Sequence, residues 1–220
     1  MPKVGVILSG CGVYDGSEIH ESVITLLALD RSGAEAVCMA PDMEQMHVIN
    51  HLTGEPVAGE KRNVLVESAR IARGKISNIN DVKADDIDAL IIPGGFGVAK
   101  NLCDFAVKGP DCTVNPEVAR LVKEVIKAKK PLAALCIAPA LISKVLGSEK
   151  RPHRLTIGTD ADTARALETM GSEHVSCPVT EFVVDKENKL VSTPAYMLAG
   201  RISETAEGIE KAVKALLEMI

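Results

Sequence analysis

The sequence predicts an α/β protein built on a doubly wound, mostly parallel sheet. Three observations carry this expectation. First, short apolar runs without polar alternation recur along the 220 residues, at 4–9, 34–40, 89–92 and 132–135. Such runs belong to strands buried on both faces, as in a sheet covered by helices on each side. Second, segments of helical periodicity separate them, the pattern of right-handed βαβ units. Third, the run Leu132-Ala133-Ala134-Leu135 passes straight into Cys136-Ile137-Ala138-Pro139-Ala140, a strand that stops abruptly and becomes a helix.

In chain order, residues 4–9 form the first strand, with a glycine-rich exit at Gly10, Gly12 and Gly16. Ser17 is the expected N-cap of a helix carrying Ile19, Val23, Leu26 and Leu27, which ends at Gly33. Residues 34–40 give a second strand, closed by Pro41-Asp42. The turn chemistry of residues 50–56 suggests an inserted loop or short hairpin. Residues 63–74 are helical. The strand at 89–92 exits into Pro93-Gly94-Gly95-Phe96-Gly97, where adjacent glycines allow close approach of backbone amides to a ligand; a plain tight turn fits the same residues. Asn115-Pro116 opens a helix to about residue 129, with Val118, Leu121, Val122, Val125 and Ile126 on its apolar face. After the corner, a helix over 138–147 is followed by a strand-like run at 155–158. A helix capped by Thr159 or Asp160 then ends at Gly171. Residues 174–184 and 190–193 read as two antiparallel strands, and a helix from Ser203 closes the chain.

Composition narrows the function. With 46% hydrophobic residues and a formal charge of −5, the chain can bury one sizeable core, and residues 1–220 read as a single domain. Its charges are mixed along the sequence and aromatics make up 2%, so neither a basic footprint nor stacking platforms for nucleic acid are present. No apolar run reaches the ~20 residues of a membrane span, and with no leader pattern after Met1 the expected location is cytoplasmic. The six cysteines show no Cys-x-x-Cys pair or regular spacing, which argues for reduced thiols and against a zinc site or disulfide scaffold.

The corner is where chemistry is expected. A strand-to-helix turn that carries a nucleophile needs small residues two before and two after it, and Ala134 and Ala138 meet that need. Pro139 fits the first helical turn. A thiol at a helix N-terminus should be stabilised as thiolate, below the ~8.5 of free cysteine. On the corner alone, a packed core cysteine fits equally well.

With these pieces placed, the chain resembles the ThiJ/PfpI superfamily, also called class I glutamine-amidotransferase-like, over nearly its whole length. Residues 4–21, Asn50-His51-Leu52-Thr53-Gly54 and Thr193-Pro194-Ala195-Tyr196-Met197-Leu198 look like its ElbB subgroup, the isoprenoid or enhancing-lycopene-biosynthesis proteins. The resemblance implies a flavodoxin-like sheet and a homodimer. It also implies an elbow nucleophile at Cys136, a neighbouring carboxyl at Glu21, and oxyanion donors in the N–H groups of Gly95 and Ile137. The protease-like branch carries histidine where this chain has Ile137, which disfavours a Cys-His triad. The implied activity is that of glyoxalase III, converting glyoxal to glycolate without metal, glutathione or other cofactor, with protein deglycase chemistry overlapping. The partner is then a small reactive aldehyde. The rival reading is a non-catalytic redox sensor linked to isoprenoid biosynthesis. No histidine has a fixed sequence relation to Cys136, and Cys11, in the loop after the first strand, reads as a packing residue before a second thiol of the site.

Overall fold

The computed structural model describes all 220 residues. Seven strands form the main sheet: β1 (Lys3–Ile7), β2 (Glu35–Ala40), β5 (Ser77–Asn78), β6 (Ala89–Ile92), β7 (Leu132–Leu135), β10 (Val183–Asp185) and β11 (Leu190–Thr193). Their spatial order is β10-β11-β7-β6-β1-β2-β5, and every pairing is parallel except β10 with β11. This is the expected doubly wound architecture. A hairpin of β3 (Ile49–Asn50) and β4 (Glu55–Pro56) occupies the place read as an insertion, and β8 (His153–Leu155) pairs in parallel with β9 (Ser172–His174) in a second small sheet.

The apolar runs divide between two cores, one on each face. In β6, Ala89 and Ile91 join Val4, Val6 and Leu8 on one side, while Leu90 and Ile92 join Ile7 on the other. The first face is covered by α1 (Ile19–Arg31) and α7 (Ile202–Leu217), which pack on each other. The second is covered by α4 (Pro116–Lys127) and α5 (Ala138–Ser148), and all five predicted apolar residues of α4 are buried there. The remaining helices are α2 (Val64–Ile71), the single turn α3 (Phe105–Lys108) and α6 (Ala161–Thr169), whose cap is Asp160.

Four local expectations are corrected. Ser17 does not cap α1. Its hydroxyl turns inward and accepts the N–H of Ser9 at 2.8 Å, so the longer Glu18 side chain caps by accepting the N–H of Glu21 at 2.7 Å. The apolar stripe of α1 does not face the core: Ile19, Val23 and Leu27 are exposed, and Ser22, Ile24, Thr25, Ala28 and Leu29 are buried. The strand expected at 155–158 lies earlier, at β8, because Thr156 leaves the ladder to donate its N–H to Ser192 Oγ. The long strand expected at 174–184 is broken, since Pro178 has no N–H for a ladder; only its ends belong to β9 and β10.

Candidate active site

β1 lies between β2 and β6, so the chain leaves the sheet in opposite directions on either side of the β1–β6 boundary. In open α/β sheets the crevice at such a point, beyond the carboxyl ends of the strands, is where ligands bind. The exits of β1, β6 and β7 all open there, and they bring together the four residues expected to form the site.

Cys136 follows β7 with φ of +58°, a left-handed conformation that costs a non-glycine residue on the order of 1–2 kcal/mol. Its N–H is held by the Thr193 carbonyl at 3.0 Å. Ala134 and Ala138 are fully buried against the turn, as the corner demands, and Pro139 lies in the first turn of α5. Residues held in such sparsely populated conformations concentrate at functional sites.

Glu21 reaches the same point from the first turn of α1. Its side chain is completely buried. One carboxyl oxygen accepts the N–H of Gly94 at 2.8 Å, and the other accepts the N–H of Tyr196 at 3.2 Å. The carboxyl also faces the Cys136 sulfur: a Cβ at Gly94 would lie 2.6 Å from a Glu21 oxygen and 2.9 Å from the sulfur, and the N–H groups of Gly95 and Ile137 act on the thiol from the same corner. Cysteine, carboxyl and the two amide donors therefore meet around one sulfur atom.

Glycine is required at the turn that supplies these amides. A Cβ at Gly94 would lie 2.4 Å from the Cβ of Cys136 and 2.6 Å from a carboxyl oxygen of Glu21. Gly95 adopts φ of +100°, and a Cβ there would lie 2.3 Å from the Glu18 nitrogen. The Gly94 carbonyl accepts that Glu18 N–H at 2.9 Å, tying the turn to the start of α1.

The electrostatics of the pair follow from burial. Desolvation first, then the Glu18 carboxylate, push Glu21 up to about 7, against the opposing pull of the Tyr196 and Gly94 N–H groups. Cys136 is also pushed well up, by burial and then by the Glu21 charge, although the Gly95 and Ile137 amides pull it down. This corrects the expectation of an acidic thiol. The residue is only 7% exposed, and desolvating a thiolate there outweighs the favourable end of α5.

The histidines stand outside this contact. His20 reaches its margin, with Nδ1 2.8 Å from the Tyr196 hydroxyl. His153 is buried with Nε2 2.6 Å from Ser172 Oγ and Nδ1 2.7 Å from the Arg151 carbonyl, so both nitrogens are occupied elsewhere. His51 lies beside Tyr14 and Asp15, and His174 Nε2 accepts the Ile157 N–H. Cys11 is surrounded by Glu67, Arg70, Asp15 and Arg62, and burial pushes its thiol up.

The Gly94 N–H makes the close backbone approach expected of the glycine turn, but to the Glu21 carboxyl. Two contributors have no role assigned by the sequence. Tyr196 binds the same carboxyl through its main-chain N–H, which leaves no mark in residue identity. Buried Asn101 donates to the carbonyls of Ser9 and Asp15 and accepts the Met46 N–H, clamping the glycine-rich exit of β1.

The pattern of the DJ-1/PfpI family matches residues 11–193, a span that contains the strained cysteine, its carboxyl and the glycine turn. The chain belongs to this family. Among its DJ-1/PfpI relatives, the rat "ES1 protein homolog, mitochondrial" is 49% identical over 99% of this chain and 84% of its own length. The human "Glutamine amidotransferase-like class 1 domain-containing protein 3, mitochondrial" is 48% identical over 99% of this chain and 83% of its own. The crystal structure of an isoprenoid biosynthesis protein with an amidotransferase-like domain from Ehrlichia chaffeensis superposes with a TM-score of 0.92 at 38% identity. It covers 99% of this chain and all of that one, which bears out the expected kinship. Glyoxalase III from Candida albicans superposes with a TM-score of 0.63 over 98% of this chain and 97% of its own. At 12% identity it shows the fold alone. The names of the mammalian relatives overturn the expected cytoplasmic location. Both relatives, matched over 99% of this chain, are named mitochondrial, and composition and apolar runs within a folded domain carry no cellular address.

Proposed function

We propose that the chain is a cofactor-independent glyoxalase that converts glyoxal to glycolate through a Cys136 hemithioacetal. The observation that carries this reading is the placing of the buried Glu21 carboxyl, raised to about 7, against the Cys136 sulfur, with the Gly95 and Ile137 amides beside it. A carboxyl of that basicity can take a proton from the thiol near neutral pH and return it later, which is the task of a general base and acid.

In this route the sulfur adds to one carbonyl carbon of glyoxal while the thiol proton passes to Glu21. The new oxyanion is held by the Gly95 and Ile137 N–H groups and then protonated. Preorganised donors of this kind are worth about 10²–10³ in rate. Glu21 next removes the hydrogen from the sulfur-bearing carbon and delivers a proton to its neighbour, leaving the thioester of glycolic acid. Water hydrolyses the thioester and the thiol is restored. The sum is one glyoxal and one water to one glycolic acid, with no external oxidant or reductant. No amine departs, so the absence of a histidine after Cys136 is tolerated. The small exposure of Cys136, 7%, suits a substrate of two or three carbons.

The test follows glyoxal loss and glycolate formation by NMR in the presence of EDTA and without added thiol. Wild type should form glycolate, Cys136→Ser should form none above background, and Glu21→Gln should lose at least a hundredfold. Equal rates in wild type and Cys136→Ser, or aldehyde loss without glycolate, would overturn the reading.

A further inference from the structure

Away from Cys136, the chain brings two other cysteines into contact. Cys103 ends a π-helical turn, Val98–Leu102, that follows the glycine turn of the site. Its N–H and its sulfur both donate to the Val98 carbonyl, at 3.0 and 3.2 Å. Residues 102–104 then lie antiparallel to residues 112–115. Cys103 is bridged opposite Val114, the Asn115 N–H donates to the Leu102 carbonyl at 2.8 Å, and the Asp104 N–H donates to the Thr113 carbonyl at 3.2 Å. Side chains alternate along such a segment, so Cys112 projects to the same side as Val114 and shares a face with Cys103, and both pack in the same core. The two thiols lie near enough for each to shift the acidity of the other. The acidity of the other four cysteines is set by burial and by carboxylate, carboxyl, lysine, arginine or amide groups.

We propose that Cys103 and Cys112 are a reversible peroxide-sensitive dithiol that closes into an intramolecular disulfide. The two sulfurs are not equivalent. Both residues are buried, but Cys112 lines the floor of a surface depression of about 290 Å³ together with Thr113, Ala119, Lys144 and Val145, whereas the Cys103 sulfur is engaged with the Val98 carbonyl. Contact with Cys103 and the nearby Lys144 ammonium lower the Cys112 thiol, while Cys103 is raised by that contact and by burial. Cys112 is accordingly the attacking sulfur and Cys103 the resolving one. The Cys112 thiolate attacks one oxygen of hydrogen peroxide, the O–O bond breaks, and the departing hydroxide takes up the thiol proton as water. The Cys103 sulfur then attacks the sulfenic sulfur and a second water leaves. Two thiols and one peroxide become one disulfide and two waters. A thiol reductant reverses the step by exchange.

This inference is independent of the glyoxalase reading, and so is its test. Reduced protein carrying Cys136→Ala is titrated with hydrogen peroxide, quenched with iodoacetamide and digested with trypsin. The sequence cuts after Lys100, Lys108 and Arg120, so the two cysteines fall on separate peptides, 101–108 and 109–120. The expected result is that this linked pair appears at the lowest effective peroxide, before Cys38 or Cys177 is oxidised, and disappears with dithiothreitol. Cys103→Ala and Cys112→Ala should each abolish the linked peptides while circular dichroism stays unchanged, and Cys103→Ala should leave Cys112 as sulfenic or sulfinic acid. Oxidation of Cys112 beyond sulfenic acid in the Cys136→Ala protein without any linked pair would overturn the proposal. So would a disulfide that joins either residue to another cysteine first.

Discussion

Burial of Glu21 makes a prediction about stability that needs no substrate. The carboxyl is raised from 4.5 to about 7 in the folded protein, so between those values the folded state holds a proton that the unfolded chain has released. Stability falls with rising pH wherever the folded state binds more protons. The contribution from protonated Glu21 is therefore complete below pH 4.5 and is lost as pH rises through 7. At about 1.36 kcal/mol per unit of pKa, the loss amounts to about 3 kcal/mol. Glu21→Gln cannot titrate. Its amide NH2 must face one of the N–H groups of Gly94 and Tyr196, a cost that does not vary with pH. The measurement is urea unfolding of both proteins from pH 4.5 to 8.5, plotted as the difference between them. His153 and His174 are lowered by burial and make stability rise with pH; these contributions are present in both proteins and cancel. The difference should move in favour of Glu21→Gln by about 3 kcal/mol across the range. A flat difference would show that the carboxyl titrates normally. Movement in favour of wild type would show that the two amides hold the carboxylate more strongly than burial opposes it.

Three further outcomes are expected. Iodoacetamide should label Cys136 more slowly than an unhindered thiol at pH 7.5, and Glu21→Gln should accelerate labelling several-fold by removing the neighbouring charge; slower labelling in the variant, read by mass spectrometry, would mean that Glu21 donates to the thiolate. Gly94→Ala would press a methyl group against Cys136 and Glu21, and overpacking of this kind costs about 1–3 kcal/mol. It should abolish glycolate formation while the protein remains folded; retention of wild-type kcat/KM would contradict the geometry. Asn101→Ala removes three hydrogen bonds of a buried side chain, each worth about 1 kcal/mol net. The urea midpoint should fall by the equivalent of about 2–4 kcal/mol, and an unchanged midpoint would show that water replaces the clamp.

What was legible in the sequence was whatever one segment settles by itself. The uninterrupted apolar runs of β1, β6 and β7 can only be buried on both faces, and the turn at Cys136 needs Ala134, Ala138 and Pro139 close by in the chain. What was illegible depends on neighbours remote in sequence. The stripe Ile19, Val23 and Leu27 looks like a core face by spacing, yet α1 is rotated so that Ser22 and Thr25 are buried. Nothing within the helix announces that rotation, because α7, nearly two hundred residues later, determines which side of α1 is covered. The long strand expected at 174–184 is broken for the opposite reason, a local one: Pro178 lacks the N–H that a ladder needs, and the apolar residues around it do not replace that bond.

The acidity of Cys136 shows why a motif by itself misleads about chemistry. An elbow at a helix N-terminus predicts a stabilised thiolate, and its two amides do pull in that direction. The same turn draws the sulfur into the interior, however, and Glu21 is drawn in beside it because the Gly94 and Tyr196 N–H groups need an acceptor. Removing two ionisable groups from water together penalises a second negative charge on the pair far more than the first. The thiol and the carboxyl therefore act on each other as one unit, in which burial and the Glu21 charge disfavour a thiolate. That arrangement keeps the resting sulfur unreactive toward passing electrophiles. In the proposed reaction the same pairing favours a ligand small enough to reach the sulfur and able to accept it as Glu21 accepts the proton, which is the behaviour of an aldehyde carbonyl.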